Sequence, residues 1–496
     1  MSDDGERLEQ LVRGWNSCIS ITTYEEEYAL GLVRDTALAI GCDLKLWSVT
    51  EGVRDGLFSD AGPVKDTENP AAGLYYLWRQ DDAGMCVTLD LADHLGDART
   101  LRVLRSLIQG FSKDERCLVM IDHTEAVPTV IQAHATQFEL SLPGEKELEA
   151  ILRRTLQRHN REEHIDVHIR RRELGVILRN LRGLTRREVE QILAEAVADD
   201  RRFDAEDLNL ILARKRQAIR SHGLLEYVEA PVDLAEIGGL RRLKQWLAQR
   251  EHAMMGTVPE PGITAPRGVL MLGVQGAGKS MCAKAIATAW QRPLLRMDVG
   301  ALYDRYVGES ERRLRDALRQ ADAMAPIILW IDEIEKAFAS AASRSTDGGL
   351  SQRMFGSLLT WMQEHRDPVF LVATANDIEA LPPELLRKGR FDEIFFVDLP
   401  AEETRRQILA IHLQKRKRDP EAFDLDALVK ASEGYSGAEI EQAILTALHE
   451  AYAEKTELTT QHVADALDRS PPLSVIMAER VAALRRWAEG RCVPAD

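Results

Sequence analysis

The stretch from Arg267 to Ser280 constrains this chain more than any other. The apolar run Val269-Leu270-Met271-Leu272 enters Gly273-Val274-Gln275-Gly276-Ala277-Gly278-Lys279-Ser280, and MCAKAIATAW follows with helical character. A strand, a glycine-rich loop and a helix in that order aim successive backbone N–H groups outward from a helix N-terminus, where partial positive charge gathers. The glycines let the backbone approach a ligand closely and take dihedrals closed to other residues. The ligand that suits such a nest is a chain of phosphates. Lys279 is then a point charge for the terminal phosphates, and the Ser280 hydroxyl a ligand for Mg²⁺. The spacing alone is moderately specific; the flanking strand and helix give it weight.

A second apolar run, Ile327-Ile328-Leu329-Trp330-Ile331, ends in Asp332-Glu333. Near-continuous apolar runs are strands buried on both faces of a parallel sheet, and ligands sit beyond the carboxyl ends of such strands. Asp332 is placed there to hold Mg²⁺ on the phosphates, and Glu333 to orient and deprotonate a water. A third run, Val369–Thr374, leads to Asn376, and LLRKGRFDEIFFVDLP then brings Arg387 and Arg390. After Pro400 the pattern turns helical. Residues 434–452 carry apolar side chains at helical spacing, and Asp424 and Thr459 are suited to start helices. The expectation is an α/β domain followed by a small all-helical one.

The first half has no such glycine loop, yet it echoes the second. At a lag of 251, GLTRREVEQ (183–191) falls on GYSGAEIEQ (434–442), and CISIT (18–22) falls on the strand at 269–273. The same lag lays Thr22–Ala29 over the phosphate loop, with Tyr28 at the place of Lys279 and Ala29 at that of Ser280. Glu25, Glu26 and Glu27 then stand where amides would meet phosphate, and they repel it. At nearby lags CVTLD (86–90) falls on ILWID, Leu118–Asp122 on the third strand, and FELSLP (138–143) on FFVDLP. Residues 1–215 therefore read as a degenerate copy of the same unit, unable to bind a nucleotide.

Composition narrows the classes. The net charge is −16, and both halves share the deficit, which disfavours a duplex-binding protein. The one strongly basic cluster, Arg170-Arg171-Arg172 with Arg179, Arg182, Arg186 and Arg187, reads as the solvated face of the first helical region. No apolar stretch reaches the roughly 18 residues that span a bilayer, and the acidic start lacks a signal peptide's pattern. Six scattered cysteines without a CxxC pair read as reduced thiols, so the expected location is cytoplasmic with no membrane contact.

Residues 221–496 resemble an AAA ATPase of the clade that includes the FtsH protease, katanin and the proteasomal ATPases. GLLEYVEAP, IGGLRRLKQWL, LPPELLRKGRFDEIFF and EGYSGAEIEQAI extend the likeness over the whole chain, to an AAA family first noted as an open reading frame of algal chloroplast genomes. The resemblance implies a P-loop NTPase fold of the AAA+ type, a parallel-sheet α/β domain with a C-terminal helical lid, preceded by a degenerate AAA-like α/β domain with its own lid. The implied division is 1–145 for the degenerate domain, 146–220 for its lid-like region and linker, 221–400 for the ATPase domain and 401–496 for the lid and tail. It implies ATP and Mg²⁺ as ligands. Gly276, Ala277, Gly278, Lys279, Ser280 and Met281 would hold the phosphates, and Glu236 and Gly238 would lie at the base. His412 would stand near ribose and base, and Gly437 and Ala438 at the lid position. Asn376 matches the residue that helps orient the attacking water. Arg387 and Arg390 match an arginine-finger pair that reaches a neighbouring subunit's γ-phosphate.

Arg305-Tyr306-Val307-Gly308 matches the loop with which threading members grip a peptide, and Ser340–Leu350 reads as a flexible second loop. WMQEHRDP stands where an acidic-glycine-apolar signal usually precedes the third strand. No HExxH is present, so no protease half is expected. The expected function is that of a homo-hexameric ATPase that remodels or threads a protein client. The alternatives are a nucleotide-dependent switch or scaffold and, third, a nucleic-acid-acting ATPase.

Overall fold

Apolar runs become the central strands because both faces of a parallel sheet must be covered. The structure is a computed structural model. It describes residues 3–58, 62–80, 84–124, 126–198, 201–204, 207–221, 224–229, 234–255, 264–300, 309–337, 350–387 and 389–496. The chain forms two compact units, residues 1–157 with 185–191 and residues 158–184 with 192–496.

In the first unit, strands β1 (Cys18–Thr22), β2 (Leu44–Ser48), β3 (Gly52–Asp55), β4 (Met85–Leu89), β5 (Cys117–Asp122) and β6 (Thr136–Phe138) form a sheet in the order β3-β2-β4-β5-β1-β6. All neighbours are parallel except β2 and β3. One face buries Trp47, Leu107 and Phe111, the other Leu8, Ile21 and Val33.

The second unit begins with a two-stranded ribbon, β7 (Asp166–Val167) and β8 (Arg202–Phe203). Its main sheet holds β9 (Leu225–Val228), β10 (Gly268–Gly273), β11 (Leu294–Met297), β12 (Ile327–Ile331), β13 (Val369–Ala375), β14 (Glu393–Val397) and β15 (Val493–Pro494), in the order β15-β14-β10-β13-β12-β11-β9. Every residue of β10, β12 and β13 is buried. Only β9 runs antiparallel to its neighbour.

Read from β6, the first sheet runs β6-β1-β5-β4-β2-β3. Read from β14, the second runs β14-β10-β13-β12-β11-β9, with the same directions at each step. Of the five segments matched by sequence lag, the four that fall on strands thus occupy equivalent sheet positions, FELSLP through Phe138 at the end of β6. The antiparallel edge differs in origin: β3 follows β2 in the chain, whereas β9 precedes β10.

Helices after β14 pack around Leu409, Leu413, Leu428, Ile440 and Leu467. Asp424 and Thr459 do start helices, accepting from the N–H groups of Ala427 and His462. Ser436 opens the helix Gly437–Ala453 with a reciprocal bond to Glu439, which satisfies two otherwise orphaned donors.

Among the described residues the basic cluster departs from the expected solvated face most fully at Arg186. Arg170, Arg179 and Arg187 are exposed, but Arg186 is buried in the first unit. Its Nε donates to Glu147 Oε1 at 2.6 Å, its Nη1 to Glu25 Oε2 at 3.1 Å and to Ser141 O at 2.9 Å. Its backbone N–H donates to Glu25 Oε1 at 2.8 Å, and its Cζ lies 3.5 Å from the centre of the Tyr28 ring. Glu25 and Tyr28 belong to the stretch laid over the phosphate loop, so an internal cation sits against that stretch. A planar fork with several donors is the side chain that two carboxylates and a carbonyl can hold together.

Removing one partner of a buried ion cluster strands the others without compensation. Arg186→Ala is expected to destabilise the first unit by about 3 kcal/mol. Hydrogen exchange in Cys18–Thr22 and Cys117–Asp122 measures this as lost protection; unchanged exchange there would show that the cluster carries no stability.

Candidate active site

The carboxyl ends of β10, β12 and β13 meet the first turn of the helix Lys279–Ala289 and the lid around one cavity of about 320 Å³. Gly276 and Gly278 take φ of 75° and 92°, in the region that favours glycine. A Cβ at Gly276 would also lie 2.9 Å from Ser436 Oγ, so the loop can approach the lid only as glycine. The Gly276 carbonyl accepts from Ala438 N–H at 3.1 Å.

Lys279 is buried, and its ammonium donates to the carbonyls of Gly273 (2.9 Å) and Val274 (2.7 Å). It forms no ion pair among the described residues. Burial pushes its pKa down to about 8, against the pull of the Glu335 and Asp332 carboxylates. A buried ammonium met only by carbonyls is complementary to an anion.

Asp332 Oδ1 accepts from Ser280 Oγ at 3.0 Å and from Thr374 Oγ1 at 2.6 Å. A hydroxyl and a carboxylate oxygen side by side beneath a phosphate nest fit a hard cation that keeps phosphate and water among its ligands. Glu333 takes a φ of 50° and its N–H donates to Thr374 Oγ1. Its Oε1 accepts from Asn376 Nδ2 at 2.8 Å, and its Oε2 pairs with Lys336. Asn376 is held in turn, its N–H donating to Glu335 Oε1 at 2.9 Å. Burial raises the pKa of Glu335.

The far end of the cavity is lined by Glu236, Gly238, Ile408, Ile411 and His412. Lys415 pairs with Glu236 at 2.7 Å, and Gly239 N–H donates to Gln407 Oε1 at 3.0 Å. Burial lowers the pKa of His412, outweighing Glu441 beside it. Arg416 also donates to its Nδ1, so the ring is neutral near pH 7.

The comparisons with known proteins agree with this geometry. The family model of the ATPase family associated with various cellular activities (AAA) matches residues 269–399. Models of the SpoVK-like AAA ATPase N-terminal and second domains match residues 4–140 and 146–222. The chain is 33% identical over 474 residues to the uncharacterized AAA domain-containing protein ycf46 of Guillardia theta, covering 95% of this chain and 92% of that one. The corresponding protein of Trieres chinensis is 34% identical over 487 residues, 97% and 96% of the two chains. The chain belongs to the ycf46 family of AAA proteins. It is also 33% identical over 250 residues to the proteasome-activating nucleotidase of Aeropyrum pernix, covering 48% of this chain and 59% of that one. As a member of the AAA family the chain is an ATPase with an α/β nucleotide-binding domain. Among the described residues no helix is long and apolar enough to cross a membrane.

The cavity of this family member gathers Glu236, Gly238, Gly276, Ala277, Gly278, Lys279, Ser280, Met281, Asp332, Glu333, Asn376, His412, Gly437 and Ala438, all singled out from sequence. Arg387 and Arg390 do not line it. Arg387 is exposed, whereas Arg390 is buried and donates to the Glu384 carbonyl of its own loop. Tyr306 and Val307 lie outside the described residues, as does most of the loop 340–350. Sequence reasoning missed Thr374, Ile408, Ile411 and Glu441. Thr374 was in view as the end of the third run. Ile408, Ile411 and His412 share one helix face, a signal that spacing alone could have given.

The Lys279 geometry sets a pH dependence. In the free site the ammonium deprotonates near pH 8; a bound polyphosphate favours the charged form and raises that value. Affinity therefore falls as pH rises through about 8, and binding above that pH takes up protons. Calorimetry in two buffers of different ionisation enthalpy is expected to show that uptake, and Lys279→Met to abolish it. Affinity unchanged from about pH 7 to 9 would overturn the assignment of this charge.

Proposed function

We propose that this chain assembles into a ring of six and couples Mg-ATP hydrolysis to the remodelling of a protein partner. Arg387, an exposed cation that does not line the cavity gathering the other candidate groups, carries this reading. In this reading it serves a neighbouring copy. The similarity to a protein named as a proteasome-activating nucleotidase supports a protein as the partner.

In this reading Lys279 and the N–H groups from Gly276 to Met281 hold the phosphate tail. Ser280 and Asp332 would hold Mg²⁺, which would offset the charge that develops on the phosphate. Glu333 takes the proton of the attacking water, and Asn376 aims that carboxylate. Glu236, Gly238 and His412 border the base and ribose. Gly437 and Ala438 bring the lid to the phosphate loop. Arg387, with Arg390 behind it, completes the site in trans. Phosphoryl transfer is a task of positioning and charge stabilisation, and such an arginine contributes about 10³–10⁵ in rate.

Residues 1–145 then form a degenerate copy with 146–220 as its lid-like region and linker; 221–400 and 401–496 form the working domain and its lid. The shared strand order and the Arg186 cluster against the phosphate-loop stretch support this. Six free cysteines favour a reducing, cytoplasmic setting. A nucleotide-dependent switch is the second reading. It is favoured by Trp361, in the stretch where threading members carry an acidic-glycine signal; its Nε1 donates to both oxygens of Asp322 on the helix Glu309–Met324.

Light scattering coupled to size exclusion on Glu333→Gln is expected to show a shift to about six chains on adding ATP. A persistent monomer would remove the ring, and the switch reading would lead. Arg387→Ala is expected to retain nucleotide binding while losing hydrolysis by about 10³-fold or more; an unchanged rate would leave that arginine without a role in trans.

A further inference from the structure

The strand β15 and the two residues after it reach the segment next to Gly238, which lines the far end of the cavity. β15 runs parallel to β14, with Val493 opposite Phe395 and Pro494 opposite Phe396. Ala495 is buried, its N–H donating to the Phe396 carbonyl at 2.9 Å and its own carbonyl accepting from Leu243 N–H at 3.1 Å. This fastens Asp496 beside the start of the helix Arg241–Met255.

The Asp496 carboxylate spans two elements there. Oδ1 accepts from the N–H and the Nε of Arg241, both at 3.3 Å. Oδ2 accepts from Thr404 Oγ1 at 2.7 Å, on the first turn of the lid helix Glu402–Lys415. Burial opposes the charge on Asp496, but the Thr404 and Arg241 donors outweigh it and hold the carboxyl below its usual range. Gly239, φ 67°, sits in the crook of this contact. A Cβ there would lie 2.8 Å from Thr404 Oγ1 and 2.9 Å from Asp496 Oδ2. The neighbouring Gly238 is as close to Ile408, where a Cβ would lie 2.8 Å from Cγ1.

Gly238 and Ile408 both line the cavity, and so do Glu236 and His412. The carboxylate thus holds the segment 236–241 against the lid helix that carries Ile408, Ile411 and His412. The phosphate loop lies at the other end of the cavity and has its own tie to the lid through Gly276 and Ala438.

We propose that Asp496 is a positioning residue for the nucleoside half of the nucleotide, locking the segment 236–241 to the lid helix so that base and ribose meet a preformed slot. The proposal rests on reading this cavity as the ATP site. Preorganisation of this kind raises affinity by removing an ordering cost from binding. It acts only on ligands that carry a nucleoside, because the phosphate loop is tied separately.

The test compares Mg-ADP with inorganic tripolyphosphate, which has no base or ribose, by calorimetry on the full chain. Asp496→Ala is expected to weaken ADP binding about tenfold and to leave tripolyphosphate within about twofold. Thr404→Val, close in shape and lacking only the donor, is expected to reproduce part of that loss. Asp496→Asn, which keeps one acceptor oxygen, is expected to fall between. In turnover the same variants raise KM for ATP and hold kcat. Unchanged ADP affinity in Asp496→Ala would overturn the proposal. So would equal losses for ADP and tripolyphosphate, the mark of a general structural role. If the unaltered chain bound tripolyphosphate but not ADP, the nucleotide-site reading itself would fall, an outcome separate from any difference among the variants.

Discussion

Lys279 brings a positive charge into an interior where only the carbonyls of Gly273 and Val274 meet it. Burial opposes such a charge, and the N–H groups at the start of the same helix add partial positive charge at the same place. A polyanion relieves both. The strands around the loop answer that demand. β10, β12 and β13 run parallel with every residue buried, so their carboxyl ends deliver the loop from Gln275, Asp332 and Asn376 to one rim. The hydroxyl of Thr374 then binds Asp332 and the backbone of Glu333 together, which sets the two acidic side chains apart in role.

Much of this was legible in the sequence because it depends on local order. A strand must precede the glycine loop, a helix must follow, and acids must close a buried run; each is a statement about neighbours in the chain. The four lag-matched strand segments of the first half were legible for the same reason, and they take equivalent places in the two sheets. What stayed hidden depends on side-chain direction. Arg186 and Arg187 are adjacent and alike, yet one is buried under two carboxylates and the other is exposed. Charge counting reads both as solvated, because the partners Glu25 and Glu147 are far away in sequence. The inward turn of Arg390 toward Glu384 escaped for the same reason, as it follows from how the loop after Leu386 folds back. The edge strand also misleads a lag search, since β9 and β3 enter equivalent places from opposite ends of their units.

The lid is a second set of contacts with the nucleotide loop. Ala438 reaches the Gly276 carbonyl, Gln407 the Gly239 N–H, and Lys415 the Glu236 carboxylate. Each bond joins a lid residue to a residue of the sheet domain that lines or adjoins the cavity. A ligand held there is bordered on two sides by elements joined through the short link after Pro400. The orientation of the lid is therefore one of the quantities that the occupant of the cavity can set. Burial, which lowers the pKa of His412, favours its uncharged ring beside the ligand.

The Arg186 cluster has a historical consequence. Building a phosphate-binding loop into the first unit would take at least a lysine in place of Tyr28 and glycines in place of Glu25 and Glu27. Losing Glu25 takes a carboxylate from the buried Arg186, and a lysine at Tyr28 sets a second cation against the guanidinium, each at a cost in stability. The intermediates are poorer folds with no new activity to offset the loss. With the guanidinium seated on Tyr28 and Glu25, a route to a nucleotide site at this loop begins with a loss of stability. The first unit became free to diverge only in directions that keep its internal ion cluster intact.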